Sequence, residues 1–139
     1  PEYRLGGSMD GVNENEGWMF ELKGTSQYQT VMQRGALPAH VKQVNAYLLA
    51  SGLEKAVIVY ECKSTQQWQE IEIVRDPDTI DEIELILQKL NHAIDTGELP
   101  EILDECANQD GPKFNNCPYA GVCHGTRNRD DIIEAVSAQ

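Results

Sequence analysis

A chain of 139 residues and 15.5 kDa has room for one compact domain and little more. Charged residues make up 24% and the apolar set 40%, which excludes a disordered acidic tail. No stretch approaches the roughly 18 consecutive apolar residues that a spanning helix needs, so no membrane partner is expected. Eleven Lys and Arg against 23 Asp and Glu leave a net charge of −12, the wrong sign for a general phosphate-binding surface. The excess is uneven. Residues 1–69 hold 7 acidic and 6 basic side chains and residues 70–139 hold 16 and 5, so a near-neutral front half keeps room for a local basic groove.

The start, Pro1-Glu2-Tyr3-Arg4, has no initiator Met and none of the basic and apolar regions of a secretory signal. It reads as a fragment whose upstream part is missing, and the expected compartment is the cytoplasm. Residues 5–12 read as a glycine-interrupted strand and 18–23 as a second, with Asn13 to Gly17 supplying the turn chemistry of a hairpin. Residues 24–37 are polar and loop-like. Pro38 then opens a helix whose Val41, Val44 and Leu48 share a face and which closes at Ser51-Gly52. A β-branched run at 56–62 and an alternating run at 68–74 form a second hairpin around residues 63–67. Asp76-Pro77 has the chemistry of an N-cap and first helical position. Ile80, Ile83, Leu87, Leu90 and Ile94 then mark a core-facing stripe on a long helix ending at Gly97. The expected fold class is α/β, a mixed sheet flanked by helices with a cysteine-bearing tail.

The chemistry concentrates at Asp10, Glu21 and Lys23. Residues i and i+2 of a strand share a face, so Glu21 and Lys23 point one way while Leu22 is expected to point into the core. A hairpin closing near residue 15 sets Asp10 across from positions 20–22. Two carboxylates, a backbone carbonyl and waters are the oxygen ligands a hard cation such as Mg²⁺ takes, and an adjacent ammonium can orient water and stabilise negative charge. Glu61-Cys62-Lys63 repeats the Glu-x-Lys spacing, but no acid is placed one hairpin upstream of it. Gln43 and Tyr47, at i and i+4, share one face of the Pro38 helix and suit phosphate or base edges.

In order, Gly7-Ser8-Met9-Asp10, Glu21-Leu22-Lys23 and Gln43-Val44-Asn45-Ala46-Tyr47 resemble the PD-(D/E)XK nuclease superfamily. More narrowly they resemble its RecB-like exonucleases, including CRISPR-associated and phage-encoded members, over about residues 5–124. The resemblance implies a restriction-endonuclease-like nuclease core over 1–104 and a cysteine-containing segment over 105–139. It implies Mg²⁺ or Mn²⁺ held by Asp10, Glu21 and the Leu22 carbonyl, Lys23 positioning the attacking water, and Gln43 and Tyr47 on the substrate side. The expected activity is phosphodiester hydrolysis of DNA, linear and single-stranded included, by an exonuclease. Expected partners are DNA and a second copy or a recombination or repair protein, in the host cytoplasm for a phage-encoded member. Family members carry an N-terminal helix that brings a His or Glu to the metals. This chain begins nine residues before Asp10, so that helix is expected to be missing. The alternative is a catalytically silent nuclease-fold module that binds nucleic acid or a protein.

Cys106, Cys117 and Cys123, with His124 beside them, are soft ligands for Zn²⁺ or a [4Fe–4S] cluster. The resemblance also implies such a C-terminal cluster, with Cys62 or His124 as candidates for a fourth ligand. Cys62 otherwise reads as a core thiol in an apolar run. His40, three residues before Gln43, is placed near the nuclease face, and His92 in the long helix is expected to be exposed.

Overall fold

The computed structural model describes residues 4–98, 101–106, 117 and 120–125. Its four strands, β1 (Gly11–Asn13), β2 (Trp18–Thr25), β3 (Lys55–Cys62) and β4 (Trp68–Val74), form one mixed sheet in that order. The outer pairs are antiparallel hairpins and the central β2–β3 pair is parallel, an arrangement that needs the long crossover between them. That connection holds α1 (Tyr28–Arg34) and α2 (Pro38–Ser51). After β4 comes α3 (Pro77–Thr96), then a 3₁₀ turn (Asp104–Cys106) and a single-turn helix (Ala120–Cys123). The chain packs as two compact units, residues 1–91 and 92–139. No helix among the described residues is long and apolar enough to cross a membrane.

The helices of the β2–β3 connection cover one face of the sheet. Met19, Ala56, Ile58 and Tyr60 from the strands and Val31, Val44 and Leu48 from the helices make one fully buried cluster. Each Val, Leu, Ile or Met side chain among them contributes about 1.5–3 kcal/mol by leaving water. The other face carries Phe20, Leu22, Val57, Val59 and Trp68, and of these Leu22 and Trp68 are the most open. A shallow groove of about 200 Å³ there is lined by Leu22, Gly24, Val59, Gln66 and Trp68 among others.

This one-sided cover corrects the expectation for Leu22. It is 56% exposed, whereas Glu21 is 5% exposed and lies on the covered face with Met19. The loop expected over 24–37 contains α1 instead. Tyr28 and Val31, one helical turn apart, bury against the core, and Gly35 ends the helix in a positive-φ conformation. The first strand is only three residues long. Residues 4–9 lie outside the ladder, which continues as a side-chain bond from Asp10.

Pro38 stands at the first position of α2, and Gly52 closes it in the left-handed region with its N–H on the Leu48 carbonyl. Val44 and Leu48 are fully buried and Val41 half-buried. Asn45, also fully buried, joins α2 to the next helix: its Nδ2 donates to the Val41 carbonyl and its Oδ1 accepts the Asp76 N–H at 2.9 Å. Asp76 in turn accepts the Thr79 hydroxyl at the start of α3. The stripe on α3 is covered only in its first half. Ile80 and Ile83 are buried and Leu87 is half-buried, but Leu90 and Ile94 are 45% and 56% exposed. Helical spacing fixes which residues share a face and not how far along that face a partner reaches.

Candidate functional site

β1 pairs with β2 through Gly11 opposite Phe20, which brings Asp10 to the level of Glu21. There the Asp10 carboxylate replaces a backbone carbonyl as the ladder acceptor, its Oδ2 taking the Leu22 N–H at 2.7 Å. The N–H and C=O of one strand residue leave by the same edge, so the Leu22 carbonyl also faces the β1 side.

Glu21 and Lys23 project from the covered face. Lys23 Nζ donates to Glu21 Oε1 at 2.7 Å and to Gln43 Oε1 at 2.8 Å. The Gln43 amide nitrogen donates to Glu21 Oε1 at 3.3 Å and to the Tyr47 hydroxyl at 3.0 Å. Thus α2 lays its Gln43–Tyr47 edge over the Glu21–Lys23 couple. Tyr47 reaches on to the segment before Asp10, where a Cβ at Gly7 would lie 2.9 Å from the ring. A side chain at position 7 would therefore have to displace the Tyr47 ring.

One atom of this cluster is left over. Glu21 Oε2 is shielded from water and has no hydrogen-bond partner among the described residues. An unsatisfied buried carboxylate oxygen costs on the order of 1–3 kcal/mol or more. Groups held at such a cost concentrate where function requires them. Oε2, the Asp10 carboxylate and the Leu22 carbonyl are three hard oxygen donors, a set that suits a divalent cation of the Mg²⁺ class. Among the described residues no three His, Cys, Asp or Glu side chains converge as a ligand group.

Beyond Lys23 lies a pair that the sequence reading only half anticipated. Tyr60 is fully buried on β3, opposite Lys23 in the β2–β3 register. Its hydroxyl accepts the Leu37 N–H at 3.0 Å and lies 2.8 Å from His40 Nδ1. Burial pushes the His40 pKa down, the Lys23 ammonium adds to that, and Glu21 opposes it. Burial raises the Tyr60 pKa, with the Leu37 N–H and Lys23 acting the other way. Position 40 drew attention through its spacing from Gln43. Tyr60 did not, because it sits in a run of core residues and its hydroxyl leaves no mark in the pattern.

The C-terminal candidates are only partly gathered. Cys106 ends the 3₁₀ turn, and Cys123 ends the single-turn helix, whose Ala120 N–H reaches the Cys117 carbonyl at 3.3 Å. The His124 ring donates through Nε2 to the Cys106 carbonyl at 3.1 Å, tying the two pieces together. All three thiols are free and form no ligand group among the described residues. Residues 107–116, 118–119 and 126–139 of the expected cysteine segment lie outside the described residues, as do Leu99 and Pro100. Cys62 is buried at the end of β3, its Sγ 3.3 Å from the Ser64 hydroxyl. His92 is exposed, as expected.

The fold has known counterparts. The chain is similar to the crystal structure of an alkaline exonuclease (LHK-Exo) from Laribacter hongkongensis, with a TM-score of 0.56 and 20% identity over 65% of this chain and 49% of that one. It also matches the crystal structure of SSO0001, with a TM-score of 0.48 and 22% identity over 79% of this chain and 48% of the other. The chain spans about half the length of each of these proteins. No family model matches it, and no curated protein does. The first of these likenesses shows that the mixed sheet and its helices have a nuclease-like fold.

Proposed function

We propose that this chain is a metal-dependent deoxyribonuclease of the RecB-like exonuclease type. The observation that carries the reading is the buried, unpartnered Glu21 Oε2, held beside Lys23 and level with Asp10. The likeness to an alkaline exonuclease supports it at the level of the fold.

Asp10, Glu21 and the Leu22 carbonyl would hold Mg²⁺ or Mn²⁺. When bound, such an ion supplies Lewis-acid polarisation of a phosphoryl oxygen and a more acidic water. Lys23 contributes an ammonium that can orient the attacking water and stabilise charge on the phosphate. Gln43 holds Lys23 and Glu21 in place, and Tyr47 links that contact to the Gly7 segment. On this reading both belong to the substrate side of the site. For the C-terminal unit we propose a structural Zn²⁺ or iron–sulfur site at Cys106, Cys117 and Cys123. Its support is the soft donor set and the His124–Cys106 contact, and metal analysis of the purified protein tests it.

The test of the main reading is cleavage of end-labelled linear duplex and single-stranded DNA with Mg²⁺, Mn²⁺ or EDTA, beside closed circular DNA. Cleavage of linear DNA with Mg²⁺ or Mn²⁺, lost in Asp10→Asn and Glu21→Gln, is expected. Thermal melting adds a readout apart from activity: Mn²⁺ should raise Tm in the parent and not in Glu21→Gln. Metal-independent DNA binding without cleavage would mark a silent binding module, and neither binding nor cleavage would overturn the nucleic-acid reading altogether.

A further inference from the structure

We infer that His40 is a substrate-contacting residue, a neutral imidazole whose Nε2–H is presented to a phosphate oxygen of the bound strand next to Lys23. The inference rests on the nuclease reading and adds to it a specific donor.

The argument starts at Tyr60. Its oxygen accepts the Leu37 N–H, and its one hydroxyl proton is fully buried and needs an acceptor. The His40 Nδ1 at 2.8 Å is that acceptor, so the imidazole carries its proton on Nε2. Protonating His40 would turn Nδ1 into a second donor facing the hydroxyl and strand the Tyr60 proton. Burial and the Lys23 ammonium oppose that protonation as well, and Glu21 does not reverse the result. The ring therefore stays neutral near pH 7.

Nδ1 is thus committed to the core, while Nε2 has no partner among the hydrogen bonds of the described residues and the side chain is only half-buried. Its position places that donor beside the cluster. His40 and Gln43 are at i and i+3 on one face of α2, and Gln43 touches both Lys23 and Glu21. Below, Tyr60 is the β3 partner of Lys23. His40, Gln43 and Tyr47 form one polar edge of α2 running over β3, β2 and the Gly7 segment in turn. An uncharged donor at the end of that edge binds phosphate without adding a second cation beside Lys23.

Two substitutions separate this role from a structural one. Asn places a carbonyl oxygen near the Nδ1 position, so His40→Asn keeps an acceptor for Tyr60 and removes the Nε2 donor. Gln places an amide nitrogen near Nε2, so His40→Gln keeps the outward donor and gives up the Tyr60 bond. Binding of a fluorescent single-stranded oligonucleotide is measured in Ca²⁺, with Tm recorded for each variant. Expected is an affinity about tenfold lower for His40→Asn at parental Tm, the scale of one hydrogen bond to a charged group, with His40→Gln near the parent. The second measurement is the ring ¹⁵N spectrum of His40 in the parent, which should show a neutral Nε2–H ring whose Nε2 resonance moves on adding the oligonucleotide. Parental affinity in His40→Asn, or an Nε2 resonance that ignores DNA, overturns the inference while leaving the nuclease reading intact. A parent chain that binds no DNA overturns both.

Discussion

The chain contains two Glu-x-Lys segments, on neighbouring parallel strands, and they end up with opposite characters. Glu21 is 5% exposed and paired with Lys23 at 2.7 Å; Glu61 is exposed, and the Lys63 side chain runs across Gly24 instead. The register explains the difference. Glu21 pairs with Ile58, so Glu61 lies three residues further along β3, and an odd step turns a side chain to the other face. The middle residues invert with them: Leu22 stands out in solvent and Cys62 is buried. Spacing therefore guarantees only that an acid and a base share a face. Whether α2 or water covers that face decides if they become a site.

The sharpest way to break this comparison is to neutralise each acid in turn. Glu21→Gln should lower DNA cleavage by at least about a hundredfold, the scale set by removing one group that stabilises transition-state charge. Glu61→Gln should leave it within about twofold, as exposed substitutions do. Initial rates on end-labelled linear DNA measure both. Equal losses would show that exposure does not separate the two segments and would remove the basis for choosing the first.

A smaller effect is expected at the glycines ahead of Asp10. A Cβ at Gly7 would come within 2.9 Å of the Tyr47 ring, while one at Gly6 would meet nothing within 4 Å. Gly7→Ala should push Tyr47 off the Gln43 amide and lower cleavage by roughly tenfold, short of the roughly hundredfold that a 1 Å misplacement at the reacting groups can cost. Gly6→Ala should act like the parent in the same assay, with melting curves showing both variants folded. A full effect at Gly6 would mean that this segment acts through chain flexibility and not through contact with Tyr47.

Much of this was legible in the sequence, and the rest fails for identifiable reasons. Strand periodicity put Glu21 and Lys23 on one face, and the turn at 13–17 set Asp10 opposite them, because both depend only on local geometry. The same periodicity sent Leu22 to the wrong side. Choosing the core face needs to know that α1 and α2 cover the sheet from one side, which is a tertiary fact. α1 escaped notice because its seven residues present only Tyr28 and Val31 to the core, too few to mark a period. The Tyr60–His40 contact joins residues 20 positions apart through a single hydroxyl, and no pattern of types encodes it. The Gln43–Tyr47 pair could be found because both members lie on one helix.

The middle residue of the second segment offers the smallest effect, one on thiol chemistry alone. Hydroxyls and N–H groups of Ser64 and Thr65 bring the Cys62 thiol down to about 7, since each donor favours the thiolate. The native pKa thus lies below that of the unfolded chain. The stabilisation is complete above the unfolded thiol value and is lost as pH falls through about 7. Alkylation of Cys62 by iodoacetamide, followed by peptide mass spectrometry, should therefore show a midpoint near pH 7. A Ser64→Ala, Thr65→Ala double variant should move that midpoint up toward an ordinary thiol. DNA cleavage should not change in that variant, because the second Glu-x-Lys segment takes no part in the hydrogen bonds that join Glu21, Lys23 and Gln43. A coupled loss of cleavage would show that the β3–β4 turn supports the site through β3, where Tyr60 stands two residues before Cys62 on the same face.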